Sequence, residues 1–235
     1  MTSKKRIKIL ASVDDGSSND MMLADMLGRY RIPTVFYIPI KTRDLQDVQI
    51  RRLAGTEPNC KWCEEHKGLF EVGAHTMTHP EDLKLLSDKE LREEITGSKK
   101  ALEMLVMKEV SKFCYPSGRY NDRVKQIVKE AGFKEARTVK PFCIDFSKDP
   151  FETHPTIHIH PEKQHYGKRT WHDWAKEKFE EVIVEGGRFE LWGHSYEIFD
   201  LYHQEEFLED FLWWMDERLK EIGYPREVAI PYFEI

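Results

Sequence analysis

The sequence predicts an α/β fold: a parallel sheet of seven or eight βα units curled into a barrel. Three observations predict it. Short apolar, β-branched runs alternate with longer amphipathic stretches. No internal repeat or low-complexity linker interrupts the alternation, so 1–235 is expected to be a single domain, and a chain of 235 residues suits a barrel of this kind. Side chains capable of chemistry recur at or just beyond the predicted strand ends: Asp14 and Asp15, His75 and His79, Ser117, Arg137, His158 and His160, and His194. Strand carboxyl ends are where such barrels carry their catalytic loops.

The elements follow in order. Ile7–Val13 reads as the first strand, and a helix runs from about Asn19, a fair N-cap, to Tyr30, with Met22, Leu23, Met26 and Leu27 at helical spacing. Thr34–Ile40 is a strand whose aromatic and β-branched content suits burial on both faces. The polar segment 41–68 gives no clear element. Phe70–Ala74 is the third strand. Ser87, with Glu90 three residues on as in a capping box, opens a helix to about Val106. Lys112–Tyr115 is a short strand, Asn121 caps a helix to Ala131, and Gly132 stops it. Glu135–Val139 and Thr156–His160 are strands five and six. A helix from about Trp171 to Val184 ends at Gly186-Gly187, Phe189–Gly193 is strand seven, and a last helix spans Gln204 to Ile222. Val228–Ile230 is expected to close the sheet. Trp171, Trp174, Trp213 and Trp214 sit in helical patterns and are expected in the core.

Composition narrows the function. Thirty-six basic against forty-two acidic residues leave a net charge of −6, which argues against a nucleic-acid backbone as the main partner. No stretch of apolar residues is long enough to span a membrane, and the N-terminus MTSKKRIKILASVDDG lacks the features of a signal peptide, so a cytoplasmic location is expected. Oligomeric state is not legible. Four cysteines are too few for a disulfide scaffold. The Cys60-Lys61-Trp62-Cys63 pair, with His66 nearby, could hold a metal or redox centre, but no second CxxC completes a zinc site, and two reduced thiols in a loop are expected there.

The chemistry concentrates in FEVGAHTMTHP (residues 70–80) and SVDDG (residues 12–16). His75 and His79, four apart, place two rings on one side of a helical turn or tight loop. Two imidazoles and one carboxylate leave a divalent metal an open position, the pattern of catalytic zinc. Helical zinc proteases carry their base between the histidines, but Thr76, Met77 and Thr78 offer none. The doubled acid Asp14-Asp15 has a carboxylate to spare for proton work. The same donor set also serves non-haem iron oxygenases, although these are usually built on a double-stranded β-roll.

These residues resemble the polysaccharide deacetylases of the NodB-homology type, carbohydrate esterase family 4. The likeness covers SVDDG, His75-Thr76-Met77-Thr78-His79, Tyr115-Pro116-Ser117-Gly118 and Leu191-Trp192-Gly193-His194, in the family's order. It implies a distorted (β/α)7-8 barrel and a metal-dependent hydrolase that removes N-acetyl or similar small acyl groups from an amino sugar or polysaccharide. The cofactor is a divalent metal, zinc first and cobalt or nickel as alternatives. By resemblance Asp15, His75 and His79 are the metal ligands, Asp14 the general base, His194 the general acid, and the Ser117 N–H an oxyanion donor. Tyr115, Pro116, Gly118, Tyr120, Trp192, Tyr196 and His158 are expected to contact the sugar, although the HIH alternation puts His158 and His160 on one face, where either could instead support another site residue.

Two motifs depart from the family. Its third motif carries an arginine that braces the base, and Cys114 stands in that place. Only a fixed cation holds Asp14 ionised beside a second carboxylate, so Arg137, or else Arg119, is expected to take over. The aspartate that tunes the catalytic histidine is not evident either, with Asp145 and Asp149 as candidates. These departures leave open a catalytically altered, sugar-binding relative.

Overall fold

The computed structural model describes residues 5–161, 164–224 and 233–234. Seven parallel strands form one sheet: β1 (Arg6–Asp14), β2 (Thr34–Ile38), β3 (Phe70–Ala74), β4 (Lys112–Cys114), β5 (Glu135–Arg137), β6 (Ile157–His158) and β7 (Gly187–Gly193). Their order is β5-β4-β3-β2-β1-β7-β6, and β8 (Phe233–Glu234) pairs antiparallel with the foot of β1 at Arg6–Ile7. The helices are α1 (Asp20–Arg29), α2 (Asp47–Leu53), α3 (Lys61–Glu65), α4 (Asp88–Val106), α5 (Asp122–Glu130), α6 (Trp171–Glu185) and α7 (Glu205–Glu221).

The period-2 alternation of strand side chains sorts the interior into two environments. In β1, Ile7, Ile9, Ala11 and Val13 join the main core beneath the helices, as do Phe36 and Ile38 of β2 and Phe189 and Leu191 of β7. The opposite faces carry Ser12 and Asp14, Val35 and Tyr37, Cys114, and Arg188, Glu190 and Trp192, all buried. Charges inside a barrel must be paired to be tolerated. Glu190 accepts from the Ser12 hydroxyl at 2.7 Å and from Arg188 at 2.6 Å, while Arg188 also donates to Glu135 at 3.0 Å.

The barrel closes irregularly. Thr153 pairs with the edge of β5, donating its N–H to the Ala136 carbonyl at 3.0 Å and accepting from Thr138 N–H at 2.8 Å. A few residues later β6 pairs with β7 through Ile157↔Leu191 and His158↔Trp192. One extended segment thus joins both edges of the sheet, which is the distortion expected.

Most predicted elements are present with ragged ends, and several expectations need correction. Asn19 does not cap α1: it lies in helical backbone, and its amide side chain instead donates to Asp200 at 2.7 Å. Segment 41–68 holds α2 and α3, both too short to leave a clear period in sequence. Cys60 and Cys63 are joined in a disulfide, so they are not reduced thiols and their sulfurs are unavailable to a metal. Trp171 is buried and Trp174 and Trp214 half-buried, but Trp213 is 57% exposed and lies outside the core. Strands five and six end at Arg137 and His158, short of Val139 and His160. Val228–Ile230 lies outside the described residues. The expected caps at Ser87 and Asn121 form: Ser87 and Glu90 close a reciprocal box, and the Asn121 side chain accepts from Val124 N–H at 3.0 Å. Among the described residues no helix is long and apolar enough to cross a membrane.

Candidate active site

The carboxyl ends of β1, β3 and β7 deliver the main groups to one place. β1 ends at Asp14, which is buried, and the chain then turns through Asp15 at φ 78° and Gly16 at φ 63°. Past β3 the two histidines lie on a tight loop rather than a helix, with Thr76 at φ 70° and His79 at φ 53°. Left-handed backbone at non-glycine residues is costly and persists only where surroundings enforce it. Here Glu94 of α4 enforces it, accepting from the N–H groups of Met77 and Thr78 at 2.9 Å each and from the Thr78 hydroxyl at 2.7 Å. Sequence reasoning missed Glu94, whose spacing from the loop carries no local signature.

Asp15, His75 and His79 fit a metal ion. The His75 Nδ1 lies 2.9 Å from the Cys114 carbonyl, which can only accept, so Nδ1 carries the proton and Nε2 presents its lone pair. Burial pushes the His75 imidazole down to about 4, and the neighbouring His79 adds to the fall, so the ring is neutral as a ligand must be. Asp15 Oδ1 sits 3.6 Å from His75 Nε2 and 3.4 Å from His79 Nε2. Donors sharing one tetrahedral ion at bond lengths of ~2.0–2.1 Å lie ~3.3 Å apart. Asp15 Oδ1 is also buried with no hydrogen-bond partner, an expensive state that a cation there would relieve.

Asp14 is held by the expected arginine. Arg137, wholly buried, directs Nη2 at both carboxylate oxygens of Asp14, while its Nη1 donates to the Thr138 carbonyl at 2.9 Å. The guanidinium also lies 3.1 Å from Cys114 Sγ and is sandwiched between the rings of Tyr37 and Trp192, 5.2 and 4.9 Å from their centroids. The small thiol at 114 thus leaves room for a cation arriving from β5 instead of β4. Burial alone would push the Asp14 carboxyl up, but Arg137, then His75 and His194, hold it below the usual carboxylate range. Arg119 pairs with Glu81 on the surface and takes no part.

His194 stands at the tip of β7, its Nε2 3.7 Å from Asp15 Oδ2. Its Nδ1 lies 2.7 Å from Glu197 Oε2. Burial alone would lower the imidazole, but the bond to Glu197 and the charge of Asp14 raise it above its ordinary value. Glu197 therefore occupies the role expected of Asp145 or Asp149, and both candidates are wrong: Asp145 is exposed and Asp149 pairs with Lys125 at 3.1 Å. A signal existed in sequence, a carboxylate three residues after the histidine, where one turn brings them together.

A cavity of 420 Å³ gathers Asp14, Asp15, His75, His79, Ser117, His194, Trp192 and Tyr196, with Val139 in its wall. Several expected sugar contacts are not of that kind. Tyr115 touches the wall, but its side chain is fully buried, donating to the Phe151 carbonyl at 3.1 Å and stacking on Tyr120 at 4.3 Å. Tyr120, Pro116 and Gly118 do not line the cavity. His158 lines it, yet its Nε2 lies 3.1 Å from Glu197 and its ring stacks on Trp192 at 3.9 Å, so it supports Glu197 rather than a sugar. Gly118 has a backbone role: at φ +65° a Cβ would lie 2.2 Å from Val139 Cγ2. Gly118→Ala should therefore cost about 2–4 kcal/mol of unfolding free energy by chemical denaturation, from left-handed strain and overpacking together.

The sequence matches the family model described as polysaccharide deacetylase over residues 2–136, more than half of the chain. A search of curated proteins found no match. Among solved structures, the Xyl-CE4 domain of a multidomain xylanase from the hindgut metagenome of Trinervitermes trinervoides superposes with TM-score 0.57 at 16% identity, over 94% of this chain and 85% of that one. A CE4 family pseudoenzyme from Bacillus anthracis superposes with TM-score 0.54 at 18% identity, over 95% of this chain and 63% of that one. A polysaccharide deacetylase from Bacillus cereus does so with TM-score 0.50 at 23% identity, but the match takes in 63% of this chain and only 46% of that longer one. At such identities the superpositions establish the fold, a curled parallel barrel with helices outside. With the sequence match across the strands that carry Asp14, Asp15, His75 and His79, they show that the chain belongs to the polysaccharide deacetylase family.

Proposed function

We propose that the protein is a metal-dependent hydrolase that removes an N-acetyl or similar small acyl group from an amino sugar or a polysaccharide containing one. The observation that carries this reading is the pairing of two opposed proton carriers in one cavity: Asp14, whose ionised form Arg137 favours, and His194, whose protonated form Glu197 favours. A divalent cation at Asp15, His75 and His79, when bound, acidifies water and polarises a carbonyl. Asp14 accepts the proton of the attacking water. The Ser117 N–H, on a left-handed turn in the cavity wall, is the oxyanion donor this reading assigns. His194 then gives the Nε2 proton to the departing amine, and Trp192 and Tyr196 offer ring faces to the pyranose.

Release of acetate from a panel of N-acetylated sugars, with metal-stripped and zinc-, cobalt- or nickel-reloaded protein, tests the proposal. His194→Ala should keep its metal and lose turnover by ~10³-fold; retained turnover would refute the acid assignment. A second reading, a sugar-binding relative without activity, is favoured by Cys114 in place of the family arginine. Binding of chito-oligosaccharide with no acetate release at any metal content would select it.

The pH profile follows from the same pair. Activity requires Asp14 deprotonated and His194 protonated, so it should rise at acid pH below the ordinary carboxylate value and fall only above the ordinary imidazole value. Glu197→Gln removes the charge that stabilises the imidazolium, so the alkaline limb of kcat should move to lower pH while the acid limb stays.

A further inference from the structure

Behind His194 lies a cluster of donors that the hydrolytic reading uses only as supports. Glu197, on the π-helical turn Glu197–Leu201, has Oε2 2.7 Å from His194 Nδ1 and 3.1 Å from His158 Nε2, and Oε1 3.5 Å from His160 Nε2. His158 and His160 are nearly inaccessible, at 2% and 6% exposure. The ligand atoms of His158, His194 and Glu197 all lie within 4.8 Å of one another. We propose that His158, His194 and Glu197, with His160 alongside, form a second transition-metal site that takes a zinc-like ion after the Asp15–His75–His79 site is filled.

The chemistry of the donors favours this class of cation. Two or three imidazoles with one carboxylate is the ligand set of zinc, cobalt and nickel rather than of calcium or magnesium, which require oxygen. The geometry is partly prepared: the contacts of 2.7 and 3.1 Å must open by about 0.6 and 0.2 Å to reach the ~3.3 Å of donors around a tetrahedral ion, and the two imidazole nitrogens already lie within 4.8 Å. In the metal-free cluster Glu197 accepts imidazole N–H groups, so the entering ion replaces those protons and releases them to solvent. His194 joins the two sites, facing Asp15 with Nε2 and Glu197 with Nδ1. Two dications this near repel each other, so the second binds more weakly than the first.

A consequence for turnover rests on the proposed function. An ion on His194 Nδ1 takes Glu197 away from the imidazole and opposes its protonation, so excess metal should inhibit.

Metal counting tests the site without any substrate. The full chain, dialysed against rising zinc or cobalt and analysed for bound metal, should hold two ions, the second at tens to hundreds of micromolar. His158→Gln/His160→Gln should hold one, and His75→Ala/His79→Ala, without a first ion to repel it, should still bind one ion and at lower concentration than the second ion of the unaltered chain, each checked by circular dichroism for folding. A single ion in the unaltered chain up to millimolar zinc, or a second ion that persists in His158→Gln/His160→Gln, overturns the site. Two ions without inhibition of acetate release would overturn only the regulatory consequence, and absence of acetate release under all conditions would overturn only the hydrolytic reading.

Discussion

Arg137→Met should lower kcat for acetate release by about 10³-fold at neutral pH with metal content unchanged. The methionine matches the arginine in length but leaves Asp14 buried without its cation, and burial then drives the carboxyl up. Part of the lost rate should return as pH rises, because the base is again ionised. The same substitution should destabilise the fold by about 3–5 kcal/mol, the cost of stranding one partner of a buried ion pair. The sign follows from linkage. The Asp14 carboxyl is held below its unfolded value, so its contribution is present above ordinary carboxylate pH and lost as pH falls through the folded value. The stability deficit of Arg137→Met, read from urea unfolding at several pH values, should therefore shrink in acid. A variant with native kcat would remove Arg137 from the site.

His79→Ala should abolish activity while leaving the fold intact. His79 is only partly buried, so its loss opens no core cavity. Its Nε2, however, is one of the two imidazole nitrogens beside the unpartnered Asp15 oxygen. Metal affinity should fall by more than the ~10–100-fold that loss of an outer supporting residue costs. Dialysis followed by metal analysis reads the change directly, and circular dichroism reads the fold. An unchanged metal content would move the cation elsewhere. Comparison with His194→Ala, expected to keep the ion at Asp15, His75 and His79, separates ligation there from proton transfer.

The fold and the grouping of Asp15 with His75 and His79 were legible because each rests on a local pattern. Parallel strands buried on both faces read as apolar runs, and Asp15, His75 and His79 lie within short stretches that close such runs. Arg137 was legible only as one of two candidates with Arg119, because the resemblance puts Cys114 where a bracing arginine stands and a base beside a second carboxylate needs a cation. Glu94 was not reachable, and His158 was legible as a pocket-lining or supporting histidine but not as the partner of Glu197. Each depends on the distance between separate elements, α4 against the histidine loop and β6 against the turn after β7.

The order of apolar runs and the residue types at their ends thus committed this chain to a parallel barrel with acids and imidazoles at one rim, since strand burial and side-chain chemistry are properties of short segments. Which strand supplies the cation for Asp14, that His158 backs Glu197, and that Tyr120 lies outside the cavity while the Tyr115 hydroxyl turns away to Phe151, were decided only by how the strands curl. Curvature sets the distances across the barrel, and hydrogen bonds and ion pairs form or fail within an ångström of them.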